Sequence, residues 1–226
     1  MVEIVSVHIP KTAGSAFGTL FLQKIYSKNQ IYSDYNFASI QDSLHEISPQ
    51  TKVVHGHFHA NKYSSSFPKA KMIVWLRNPV ERLISHYFFW MNQENFQDDP
   101  GGLHAAFIKQ KPSFYDFCHL NRIKNSISNG YLNGVDLKKF YFVGVQEFFG
   151  QDIQDLAGLM HVRLPRSAKR DQKLNTNRYP SYQKEKESIL ADKALIEEIK
   201  SVNYIDMKIY EEALSLRAKR LEDYKL

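Results

Sequence analysis

Short apolar runs alternate with longer amphipathic stretches along this chain. Glu3 to Ile9 alternates and is rich in β-branched residues, which predicts a strand. Pro10 to Gly14 breaks it, and Ser15 is placed to cap a helix through Ala16, Phe17, Leu20, Phe21 and Ile25. Residues 29–51 are polar and irregular, with one helical turn near Ile40 to Leu44. Lys52 to His57 predicts a second strand. Lys71 to Arg77 is nearly all apolar, as in a central parallel strand covered on both faces. Asn78 as N-cap and Pro79 at the first helical position open a helix to about Asn92. Glu94 to Gly102 reads as a surface loop, Ser113 to Leu120 as a helix and Asn125 to Gly134 as turns. Phe140 to Gln146 is another buried strand, followed by a helix to about Met160. Two amphipathic helices follow, near Tyr182–Lys200 and Tyr204–Leu221. Strands separated by helices predict an α/β fold, a single domain over residues 1–226 with a central, mainly parallel sheet flanked by helices.

Composition narrows the class. With 43% hydrophobic and 24% charged residues in 226, the chain is neither a disordered tail nor a fibre, and is long enough to bury a core without metal or disulfide. Cys118 is the only cysteine, so no internal disulfide can form and a reducing compartment is expected. No apolar run approaches the ~20 residues that span a bilayer, and the start lacks a signal-peptide pattern. The expectation is a soluble, cytoplasmic protein without a transmembrane segment.

Net charge is +6, much of it local: Arg163, Arg166, Lys169, Arg170, Lys173 and Arg178 face only Asp171 between 163 and 178. Such a segment suits an anionic ligand or is a solvated basic loop. Tyr87, Phe88, Phe89 and Trp90 at helical spacing read as core rather than a base-stacking platform, so no nucleic-acid partner is expected.

Three constellations carry chemistry. Val7 to Phe17 has the form strand, tight turn, helix start, where unpaired first-turn amides and the helix dipole attract an anion. Lys11 adds a full charge, and Thr12 and Ser15 add hydroxyls. The G-x-x-x-x-G-K-[ST] form of an ATP loop is missing. In the second constellation, Arg77 follows a buried strand, where ligands of open α/β sheets bind, and Arg82 and Ser85 lie along the helix after it. An arginine fork with a hydroxyl suits a second, separate phosphate; an ion pair of Arg77 with Glu81 is the structural alternative. The third is His55-Gly56-His57-Phe58-His59. On an extended chain its histidines share a face, available as a proton acceptor, as packing residues, or as zinc ligands lacking a third group. Cys118, between Phe117 and His119, reads as a buried, inert thiol.

Together H-I-P-K-T-A-G-S and R-N-P-x-x-R-x-x-S-x-Y resemble the sulfotransferase superfamily, most nearly its glycan O-sulfotransferase branch with the heparan sulfate 2-O enzymes. The resemblance implies a P-loop-kinase-like fold and 3′-phosphoadenosine-5′-phosphosulfate (PAPS) as co-substrate, with no metal required. By the same match Lys11, Thr12, Ala13, Gly14, Ser15 and Ala16 would hold the 5′ side, and Arg77 and Ser85 the 3′-phosphate. His57 would be the base that deprotonates the acceptor, with Lys11 as its catalytic partner at the leaving phosphate. His55 would shape the acceptor site. Lys173 to Asn177, with Asn175 and Thr176, resembles a loop that closes over the nucleotide. Phe142 to Glu147 and Asn203 to Tyr210 resemble later family segments. Arg122 and Arg166 are further candidates for an anionic acceptor, a glycan or glycolipid. Two other readings remain open: an ATP- and magnesium-dependent kinase, and a non-catalytic polyanion-binding module.

Overall fold

A computed structural model describes residues 1–35, 37, 43–92, 102–164 and 181–223. Five strands build the frame: β1 (Ile4–Val7), β2 (Ile31–Asp34), β3 (Val53–Gly56), β4 (Lys71–Leu76) and β5 (Phe142–Val145). Every pairing is parallel, and the strand order is β2-β3-β1-β4-β5. Val7 lies beside Gly56 of β3 and Val74 of β4, so β1 and β3 finish together and β4 runs two residues further, to Leu76. The chain crosses from β1 to one side for β3 and to the other for β4. That reversal opens a crevice outside the carboxyl ends of the strands, the usual ligand position in open α/β sheets.

Apolar side chains leave the sheet on both faces, as an all-parallel sheet requires. Ile4, Val53, Ile73, Trp75 and Phe142 pack under α1 (Gly14–Phe17), a π-helical continuation at Gly18–Leu22, α2 (Gln23–Ile25) and α6 (Phe149–Leu159). Val5, Val7, Val54, Val74, Leu76, Val143 and Val145 form the opposite face, covered by α9 (Tyr204–Asp223) through Ala213. A third core joins α3 (Pro79–Met91), α4 (Leu103–Gln110), α5 (Phe114–His119) and α8 (Lys193–Val202) around Leu83, Ile84, Phe88, Phe117 and Ile199. It absorbs Phe88, Trp90 and Cys118, whose thiol burial holds protonated. Among the described residues no helix is long and apolar enough to cross a membrane.

Several boundaries move. Residues 29–51 include the edge strand β2, short and half polar, so it carries no apolar signal. Ser15 is not a cap: the helix starts at Gly14 after Ala13, whose φ is 74°, and no side chain caps it. The turns expected from 125 to 134 contain a π-helical turn at Ile127–Leu132. Tyr182–Lys200 is two helices, α7 (Tyr182–Ala191) and α8, because the Asp192 carboxylate accepts from Leu195 N and caps the second. The expected loop at 94–102 lies outside the described residues except for Gly102.

Candidate active site

The loop after β1 is built by two left-handed residues, Lys11 (φ 69°) and Ala13 (φ 74°). They turn the chain sharply enough that Phe17 N already donates to Ala13 O, leaving the amides of Gly14, Ser15 and Ala16 as the free first turn of a helix. Thr12 is fully buried and donates its hydroxyl hydrogen to Ile9 O at 2.8 Å, so it stiffens the loop rather than offering a donor outward. Ser15 is exposed at the mouth and Ala16 is half-buried.

Two cations meet here. Lys11 rests its ammonium over the Phe89 ring, 4.2 Å from the centroid. Arg77, directly after β4, donates from Nη1 to Lys11 O at 3.3 Å and from Nη2 to Glu81 at 3.2 Å. Burial, and then repulsion from Arg77, lower the Lys11 pKa to about 8. Glu81 is the structural partner the sequence offers for Arg77, yet it is shared with Lys186 at 2.6 Å, and Arg77 Nε stays buried without a hydrogen-bond partner among the described residues. A cavity of about 410 Å³ beside Arg77 is lined by Asn78, Glu81, Gln146, Glu147 and Tyr210. Two carboxylates make that side poor for phosphate and leave the Lys11 side of the guanidinium for an anion.

The helix start at Asn78 forms as the sequence predicts, its side chain accepting from Val80 N and Glu81 N. Ser85 lies buried one turn before Phe89, on the helix face that meets Lys11. Arg82 shares no exposed surface with it. It is fully buried, with Nη2 donating to Ser126 at 2.7 Å, and so belongs to the core.

His57 follows β3 at the same edge. Its ring lies 4.6 Å from His8, 4.9 Å from Tyr35 and 6.3 Å from Tyr131, all edge-on. His55 is buried beneath it and shares a 2.9 Å hydrogen bond with Ser6 Oγ. Burial, and then His57, push its pKa down to about 4, so His55 supports the site from below without reaching its surface. His59 turns away, bonding through Nδ1 to Gly130 O. No group of three or more His, Cys, Asp or Glu arranged to hold a metal occurs among the described residues. Arg122 is exposed on the turn after α5. Arg166, Asn175 and Thr176 lie outside the described residues, with most of the basic segment.

Nothing in the sequence motifs marked Phe89, Tyr35 or Phe37 as site residues, and His8 stood in the H-I-P-K-T motif without a role assigned to it. The other three are separated along the chain and meet the site only through the fold.

Lys11 and Arg77 thus lie together at the switch point of a parallel sheet, and His8, which feels both Lys11 and His57, links them to the His57 ring after β3. A model of the sulfotransferase family matches residues 2–211, and the chain belongs to that family. Similar solved structures include mouse sulfotransferase SULT7A1 complexed with PAP, at 14% identity and TM-score 0.45 over 74% of this chain and 60% of that one. A sulfotransferase from Alicyclobacillus acidocaldarius is similar at 14% identity and TM-score 0.39, over 90% and 96%. No curated protein sequence matches the chain.

Proposed function

We propose that this chain moves the sulfonate group of PAPS to a hydroxyl of a carbohydrate acceptor. The observation that carries the reading is a pair of cations, Lys11 and Arg77, that repel each other at one edge of the sheet, with His8 linking Lys11 to the His57 imidazole. Two fixed cations held together are costly unless an anion joins them, and a nucleotide with phosphate on both sides of its ribose would use both. Lys11 and the amides of Gly14, Ser15 and Ala16 would bind the 5′ side, and Arg77 with Ser85 the 3′-phosphate.

His57 takes the proton of the acceptor hydroxyl as its oxygen attacks sulfur in line. The new O–S bond forms while the bond from sulfur to the 5′-phosphate oxygen breaks, and 3′,5′-adenosine bisphosphate leaves. Lys11 and the loop amides hold the charge that builds on the departing oxygen, so the chain contributes mainly positioning and electrostatics. Tyr35 and Phe37, exposed beside His57 and His59, offer flat apolar faces to the C–H side of a sugar ring.

Thermal denaturation with 3′,5′-adenosine bisphosphate, and separately with magnesium and ATP, tests the donor. At ~100 times its dissociation constant the bisphosphate should add about 2.7 kcal/mol, roughly 5–10 °C for a chain this size, and Arg77→Ala should lose most of that shift. A shift with magnesium-ATP alone would replace the proposal with a kinase.

A further inference from the structure

A polar column rises through one otherwise apolar face of the sheet. Alternate residues place Ile4, Ser6 and His8 on one face of β1 and its continuation, and Val53, His55 and His57 on the same face of β3 and its continuation. Ile4 and Val53 are core, Ser6 bonds His55 above them, and His8 stacks on His55 with centroids 5.2 Å apart. Two glycines one helical turn apart make the room. A Cβ on Gly14 would lie 1.8 Å from His8 Cδ2, and one on Gly18 would lie 3.3 Å from His55 Nε2.

The proposed reaction gives His8 no task. It is only 8% exposed, and its Nδ1 is buried with no hydrogen-bond partner among the described residues. A buried polar nitrogen in that state is expensive, which points to a partner that arrives with a ligand. Its direction is defined by the ring: Cδ2 and Nε2 lie against Gly14, so Nδ1, on the other side of Cγ, faces away from the helix start. His8 therefore touches the loop that would hold the donor and, 4.6 Å away, the base that would activate the acceptor. His8 thus lies between the helix start and His57.

We propose that His8 contacts the sulfonate in transit, donating a hydrogen bond from Nδ1–H to a sulfonyl oxygen. The assignment rests on the sulfotransfer reading. Burial, with repulsion from His55, His57 and Lys11, keeps the ring neutral, and a neutral imidazole protonated at Nδ1 has one donor to give. His8 keeps its proton throughout: the acceptor proton goes to His57, and the bond electrons go to the 5′-phosphate oxygen.

Because the contact is to the sulfonate and not to the rest of the nucleotide, equilibrium binding isolates it without any acceptor. Isothermal titration calorimetry with PAPS and with 3′,5′-adenosine bisphosphate is compared for the unmodified chain, His8→Phe and His8→Asn. Phenylalanine keeps the ring without the N–H; asparagine returns an N–H near the Nδ1 position. The expected result is a bisphosphate affinity constant within about twofold throughout, PAPS affinity about tenfold weaker in His8→Phe, and most of that loss restored in His8→Asn. Should phenylalanine not fit against Gly14, His8→Ala removes the donor without adding volume. Unchanged PAPS affinity in the variants without the donor, or equal weakening of both nucleotides, would overturn the His8 assignment alone. An unmodified chain that binds neither nucleotide would overturn the sulfotransfer reading and this inference with it.

Discussion

Lys11 joins an unfavourable backbone to a displaced charge. Its φ of 69° is one that L side chains rarely adopt, and its pKa falls to about 8 through burial and Arg77. The lowered value has a sign that can be tested. In the free protein the ammonium loses its proton as pH rises through about 8, far below the ordinary lysine value, so the charge available to a 5′-phosphate declines there. Bisphosphate affinity should weaken progressively above pH 8, and in Lys11→Arg, whose guanidinium stays charged, that decline should flatten. Titration calorimetry from pH 6.5 to 9.5 would read it, and an identical slope in both proteins would remove Lys11 from the phosphate. Protein stability runs the other way. A lysine whose folded pKa is depressed binds fewer protons folded than unfolded between about 8 and its unfolded value, so its destabilising contribution is relieved as pH rises through that window. At the same scale, His57→Ala should lower turnover by about 10²–10⁴-fold, the usual contribution of a general base, with bisphosphate affinity unchanged.

The glycines of the first helix show how an element can be shaped by its neighbour's side chains. Gly14 and Gly18 share a helix face and lie against the two stacked histidines. Gly14→Ala puts a methyl carbon into the His8 ring, and such overpacking should cost about 1–3 kcal/mol in chemical denaturation. Gly18→Ala meets His55 Nε2 at 3.3 Å, a contact that a small shift relieves, while gaining up to about 1 kcal/mol of helix propensity, so it should be near neutral. Similar losses at both positions would mean that the histidine column does not set the spacing. Other elements were readable where a local rule governs them. Asn78-Pro79 announces its helix through capping alone, and the apolar run from Lys71 needs only a two-sided sheet. The edge strand β2 gave no such signal, because its partner β3 and not its own composition makes it a strand.

Across the whole molecule, α9 ties the far end of the chain to the site. Buried Asp152 accepts from Val145 N at 2.8 Å and Arg217 Nε at 2.7 Å, and Arg220 lies 3.2 Å away. Val145 ends β5 just before Gln146 and Glu147, and Tyr210 of the same helix lines the cavity beside Arg77. Asp206 holds the other end, accepting from Ile127 N and Ser128 N beneath Tyr131. Asp152→Ala would leave Arg217 buried without its counter-charge, and urea unfolding should show a loss of about 3–5 kcal/mol. A loss under about 1 kcal/mol would show that α9 docks by its apolar face alone.

Sequence by itself determined the α/β class, the strand-turn-helix loop at Lys11 and the capped helix after Arg77, because strand period, capping and motif spacing are short-range properties of the chain; the base role of His57 came only with the family resemblance. Only the tertiary structure decided which of those groups meet. It sent Arg82 into the core with Ser126, though Arg82 belongs to the same motif as Arg77. It placed Phe89 under Lys11 and set His8 between Gly14 and His57. The physical reason is that side-chain surroundings depend on which strands become neighbours. Here the order β2-β3-β1-β4-β5 brings three separate strand ends to one edge, and no local pattern records that order.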